Sequence, residues 1–264
     1  MTITIGVFDS GVGGLSVLQH IRQQLPDAQL IYVADSAHVP YGDKPPEYIA
    51  KRSHALTEFL IGKGAQAIVI ACNTATAAAA ASLRAQFKLP IIGMEPAVKP
   101  AVLATKSSVV GVLATIGTLE SARFAALLEK YAGKVQIVTQ GCPGLVEQVE
   151  KGALYSAETR ALVQRYTAPL LQQGADTLIL GCTHYPFLAP LISEVVGEKI
   201  ALVDTGAAVA RELQRRVQAE LSGHVPGERA AQFYTSGDAA LATRVMSVLW
   251  GEDIAVQHLP QAFL

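Results

Sequence analysis

The sequence predicts an α/β fold of two facing units, each built on a parallel sheet with helices on both faces. Three observations lead there. Short apolar runs alternate with segments of helical period along the 264 residues, the pattern of repeated βα units. The second half echoes the first: Gly6-Val7-Phe8-Asp9-Ser10-Gly11 is matched by Gly111-Val112-Leu113-Ala114-Thr115-Ile116-Gly117-Thr118. Two strand-like runs also end alike, on a small residue, a cysteine and then polar residues. They are Ala67-Ile68-Val69-Ile70-Ala71-Cys72-Asn73-Thr74 and Asp176-Thr177-Leu178-Ile179-Leu180-Gly181-Cys182-Thr183-His184. The echo is weak in identity, and chance likeness between buried strands is its competing explanation.

Taken in order, residues 3–8 read as a strand and 14–24 as a helix. Residues 30–34 are a strand and 46–62 a helix; 67–71 are a strand, followed by an Ala-rich helix over 75–86. A short strand at 91–93 closes the first set. A hinge is expected near 95–100, which holds two prolines. The pattern restarts with a strand at 109–113, a helix at 119–131, a strand at 135–139 and helices to about 173. A strand at 178–181, a helix at 187–196, a strand at 200–203 and a long helix at 206–221 follow. A last strand lies near 231–234 and a last helix near 238–250.

Composition narrows the function classes. Half the residues are hydrophobic and 16% are charged, so a substantial core is available. Lys plus Arg number 21 and Asp plus Glu 22, a balance that offers no footprint for nucleic acid or an anionic membrane. No apolar run approaches the ~20 residues needed to span a bilayer. The amino terminus enters a strand without a basic segment or cleavage site, which argues against a signal peptide. Three cysteines, none in a C-x-x-C pair, fit free thiols and a cytoplasmic setting.

Cys72 and Cys182 fall at strand-to-helix turns, at the carboxyl ends of strands where open α/β sheets place their sites. A helix amino terminus there would lower a thiol pKa from ~8.5. Two such thiols from two similar units suit moving a proton from one face of a carbon to the other. His184, two residues past Cys182, is placed to exchange its proton, although a structural histidine competes. Cys142 reads as a small buried hydrophobe. Familiar zinc-ligand spacing is missing. Phe8-Asp9-Ser10-Gly11-Val12-Gly13-Gly14-Leu15 is a Gly-rich strand-to-helix turn that could approach an anion, or a tight turn in which Asp9 caps the helix. Ser16 stands where a dinucleotide fingerprint needs a third small residue. Asp35, at the end of the second strand, keeps that reading open as a ribose-binding acid.

These motifs resemble those of the glutamate racemase family. The resemblance rests on residues 6–15, on Ala34-Asp35-Ser36-Ala37-His38-Val39-Pro40-Tyr41-Gly42, on Ile70-Ala71-Cys72-Asn73-Thr74-Ala75, on Val110-Gly111-Val112-Leu113-Ala114-Thr115 and on Leu180-Gly181-Cys182-Thr183-His184-Tyr185-Pro186. It implies two flavodoxin-like domains related by a pseudo-twofold axis, with the active site in the cleft between them. The first domain would hold 1–97 plus 207–264, and the second 98–206. It implies cofactor-independent, two-base interconversion of L- and D-glutamate for peptidoglycan synthesis, with no metal. Cys72 would take the α-proton of D-glutamate and Cys182 that of L-glutamate. Asp9 would partner the first thiol and His184 the second. Glu150 would support His184, with Glu147 left open because Gly144 and Glu147 depart from the usual pattern. Substrate contacts would come from Asp9, Ser10, Tyr41, Gly42, Asn73, Thr74, Thr183 and His184. The resemblance admits a homodimer. Racemisation of aspartate, and thiol-dependent acyl transfer or amide hydrolysis, are the alternatives.

Overall fold

The apolar runs become strands because helices cover the sheets from both sides, so runs such as Ala67–Ile70 and Thr177–Leu180 are buried throughout, while Gln136–Gly141 and Ala201–Val203 stay partly exposed. A computed structural model describes residues 3–131, 133–221 and 230–264; the first two residues lie outside them. The chain opens with β1 (Thr4–Asp9), α1 (Leu15–Gln24), β2 (Gln29–Ala34), α2 (Pro46–Gly62), β3 (Ala67–Ile70), α3 (Asn73–Gln86) and β4 (Ile91–Ile92). It continues through α4 (Val98–Ala104), β5 (Val109–Ala114), α5 (Ile116–Leu119), α6 (Ala122–Glu129), β6 (Gln136–Gly141), α7 (Leu145–Glu150), α8 (Ala157–Gln172), β7 (Thr177–Leu180), α9 (Ala189–Val196) and β8 (Ala201–Val203). It ends with α10 (Gly206–Glu220), β9 (Ala231–Thr235), α11 (Ala239–Trp250) and β10 (Val256–His258).

Two parallel sheets result. One has the order β10-β9-β2-β1-β3-β4 and the other β6-β5-β7-β8. Leaving aside β9 and β10, the two follow the same winding: the first strand of each set is central, the second lies on one side and the third on the other. The echo between the halves is therefore a repeat of topology. The last two strands add to the first sheet, and α10 packs on α1. The largest apolar cluster runs through both halves, joining Ile5, Leu15 and Leu18 to Leu145, Tyr185 and Leu188. Among the described residues, no helix is long and apolar enough to cross a membrane.

Several expectations change. The helix expected at 119–131 is α6, which starts only at Ala122 because Ser121 caps it by accepting from Phe124 N, and the short α5 before it is capped by Thr115, which accepts from Thr118 N. The segment expected as a hinge holds the start of α4. The helix expected from residue 187 is preceded by a 3-10 turn over Tyr185–Leu188, with Pro186 at its start. β10 was not expected, since Val256-Gln257-His258 has no apolar run to mark it.

Candidate active site

In an open parallel sheet the crevice lies at the carboxyl ends, where neighbouring crossovers leave in opposite directions. β1 stands at such a point between β2 and β3, and β5 stands at the other between β6 and β7. Asp9 ends β1 and Ser10 follows it, and Cys72 lies just past β3; Thr115, the first residue after β5, matches Ser10, and Cys182 after β7 matches Cys72. Both crevices open on one cavity. Ser10, Cys72, Asn73 and Thr74 line it from one side, and Thr115, Thr118, Cys182, Thr183 and His184 from the other, with Pro40, Tyr41 and Gly42 at its wall. Its volume is about 10 Å³, room for about one water. The two sides are closed on each other.

Cys72 caps α3, its sulfur accepting from Ala75 N at 3.4 Å, and its thiol reaches Ser10 Oγ at 3.9 Å. The helix amino terminus does not prevail as expected: burial first, and the neighbouring Asp9 carboxylate second, push the Cys72 thiol well above its usual range. Asp9 is fully buried and holds the turn together. Its Oδ1 accepts from Ser10 N at 2.7 Å, and its Oδ2 from Gly14 N at 2.6 Å and Thr183 Oγ1 at 3.1 Å. Burial raises its pKa and Glu150 adds to the rise, while His184 opposes it. Cys72 and Asp9 therefore both favour holding a proton.

The second thiol differs. No α-helix starts at Cys182; a turn and the 3-10 segment follow it. Its sulfur lies 3.6 Å from His184 Nδ1, and His184 Nε2 lies 2.6 Å from Glu150 Oε1. Burial disfavours the imidazolium, but the hydrogen bonds to Cys182 and Glu150 outweigh it and hold the His184 pKa well above its ordinary value. Glu150 is thus the glutamate against the histidine. Glu147 instead lines a neighbouring surface pocket with Asp43 and Cys142.

The Gly-rich turn has a purpose other than approach to an anion. A Cβ at Gly11 would overlap Glu150 Oε1, and one at Gly13 would overlap His184 Nδ1. The glycines leave room for the pair that serves the second thiol, and Val12 N donates to Glu150 Oε1 at 2.7 Å. Asp35 is not placed to hold a ribose: it is buried and grips Arg52 through two hydrogen bonds of 2.9 and 2.8 Å. The dinucleotide reading falls with it. Tyr41 lines the cavity, but its hydroxyl donates to Asp35 Oδ2 at 2.6 Å, so its ring and the adjoining backbone face the site.

Two polar features could orient a ligand. Both polar atoms of the buried Asn73 amide lack a partner among the described residues, an arrangement that costs stability unless the site supplies one. The Thr74, Thr115 and Thr118 hydroxyls form a triangle with sides of 3.0 to 3.1 Å across the two halves. The candidate residues from the sequence come together here. Thr115 and Thr118 were missed as lining residues; Thr115 looks like an ordinary helix cap, and its match to Ser10 in the internal echo was the available signal.

The Asp/Glu/Hydantoin racemase family model matches residues 5–213. A glutamate racemase of Stutzerimonas stutzeri is 58% identical over 257 residues, 97% of each chain. The structure of Escherichia coli glutamate racemase, in complex with L-glutamate and the activator UDP-MurNAc-ala, superposes with a TM-score of 0.87 at 33% identity, over 98% of each chain. That of the Francisella tularensis glutamate racemase, in complex with D-glutamate, gives 0.84 at 26% identity, over 99% of this chain and 98% of the other.

Proposed function

The chain belongs to the Asp/Glu/Hydantoin racemase family, and on that premise we propose that it interconverts L- and D-glutamate by a two-base mechanism. The observation that supports this most is the pair of thiols at equivalent strand ends facing one closed cavity, each beside a titratable partner. With L-glutamate bound, Cys182 acts as thiolate, its proton held by His184, and removes the α-proton. The Cys72 thiol then returns a proton to the opposite face of the α-carbon and is left as thiolate. From D-glutamate the roles exchange, and Asp9 takes the proton that Cys72 must first lose. The substrate carbanion and carboxylates meet the Asn73 amide, the hydroxyls of Ser10, Thr74 and Thr183, and adjoining backbone N–H groups. Closure excludes water and strengthens each of these contacts. The scheme uses protein groups alone. Residues 1–97 with 207–264 form one unit and 98–206 the other, and the enzyme works in the cytoplasm, supplying D-glutamate for peptidoglycan synthesis.

The test is purified, reduced protein with L-glutamate in D2O and no added cofactor, followed by circular dichroism and by the α-proton NMR signal. Loss of both signals is expected. A folded protein that changes neither would rule out glutamate and direct the same assay to aspartate.

A further inference from the structure

The turn that carries the second thiol is held from outside its own sheet. Thr183 lies between Cys182 and His184, and two groups near the start of α1 grip it. Its hydroxyl donates to Asp9 Oδ2 at 3.1 Å, and its carbonyl oxygen lies 2.8 Å from Ser16 Oγ. The Ser16 hydroxyl is also 2.8 Å from Gly13 O, but that carbonyl already accepts the Ser16 backbone N–H at 3.0 Å. Among the described residues Thr183 O has no such supply. Three residues on stands Pro186, which has no N–H to give, and the Phe187 amide goes to His184 O. Ser16 is therefore the donor that satisfies a carbonyl inside the reacting turn. It is buried, so water does not readily replace it.

We propose that Ser16 is a positioning residue for the Cys182–His184 pair, acting through Thr183. Fixing the Thr183 peptide fixes the side chains on either side of it, and with them the 3.6 Å separation of sulfur and imidazole. The same loop supplies the space at Gly13 for the imidazole and the Val12 amide for Glu150. One short stretch of the first half thus moulds the proton relay of the second, and Ser16 ties the two at the peptide itself. The inference rests on Cys182 acting as a base in the proposed reaction.

The experiment compares wild type with Ser16→Ala and Ser16→Thr. Ser16→Ala should lower kcat roughly tenfold or more, the scale of a misplaced reacting group, with KM within about twofold because Ser16 does not line the cavity. Ser16→Thr keeps the hydroxyl and should recover most of the loss. Exchange of the D-glutamate α-proton with D2O, which needs only Cys72, should persist in Ser16→Ala while conversion to L-glutamate falls. Alkylation of Cys182 by iodoacetamide against pH, in a Cys72→Ala background, gives a readout independent of glutamate. Its midpoint should move in Ser16→Ala. An unchanged alkylation profile with wild-type kcat would overturn the role of Ser16. So would equal losses of exchange and racemisation with a lowered unfolding midpoint, which would leave Ser16 a structural residue. Wild-type protein inert to glutamate, with a midpoint that still moves, would instead overturn the substrate reading alone.

Discussion

With Cys182, Glu150 keeps the proton on His184. It accepts from His184 Nε2 and from Val12 N on one oxygen, so its charge is fixed in place as well as near. The raised histidine pKa has a consequence for stability. The unfolded value is about 6.5, so the contribution is fully present below that pH and is lost as pH rises through the folded value. Glu150→Gln should lower the folded value, and unfolding midpoints should then fall less steeply with pH above about 6.5 than in wild type. Its kcat should drop by roughly tenfold or more, within the range of acid–base contributions. Identical pH slopes in the two proteins would contradict the assignment. At this scale the thiols and His184 were legible, because chemistry-bearing residues at strand ends stand out. The pKa of Cys72 was not legible, since burial and the contact with Asp9 come from tertiary structure and oppose the local helix terminus.

Elements hold the site by committing polar groups away from it. The turn after β2 is pinned to α2 through Asp35, which takes both Arg52 and the Tyr41 hydroxyl, and Arg52 also reaches Phe263 O at 2.9 Å near the chain end. Removing one partner leaves a charge buried without compensation. Arg52→Ala should therefore cost about 3–5 kcal/mol of stability, measurable by denaturant unfolding. A loss under about 1 kcal/mol would mean that the pair is not closed in solution. Sequence pattern located nearly every strand, since fully buried runs such as Ala67–Ile70 leave a plain signal. It failed where capping decided: Ser121 starts α6 later than expected, and the polar β10 is recruited only by pairing with β9. The Gly-rich turn was recognised, but its purpose was hidden because Glu150 and His184 lie far along the chain.

At the scale of the molecule, the cavity has room for about one water, and the two halves meet closely beside it. Gly42 and Gly117 mark where they meet. A Cβ at Gly117 would lie 2.8 Å from Gly42 O, and one at Gly42 would lie 2.9 Å from Thr115 Cβ. A larger surface cleft of about 630 Å³, shared by Gly42, Thr74 and Gly117, lies on the outer side of this contact. Gly117→Ala should keep the halves slightly apart and admit water. Its kcat should fall about tenfold, with the unfolding midpoint little changed, and wild-type kcat would show that closure tolerates the methyl group. The repeat of topology was legible in the echo between residues 6–11 and 111–118. The closeness of the two halves was not, because the apolar cluster and the hydrogen bonds that join them pair residues far apart in the sequence.

The central claim is that two thiols act on opposite faces of one carbon, and one measurement addresses it directly. Cys72→Ala and Cys182→Ala would each be incubated with L- and with D-glutamate in D2O, following optical activity and α-proton loss together. Neither variant should racemise; Cys182→Ala should exchange the α-proton of D-glutamate alone, and Cys72→Ala that of L-glutamate alone. Racemisation by either variant at the wild-type rate, or exchange of both enantiomers by one thiol, would contradict the account.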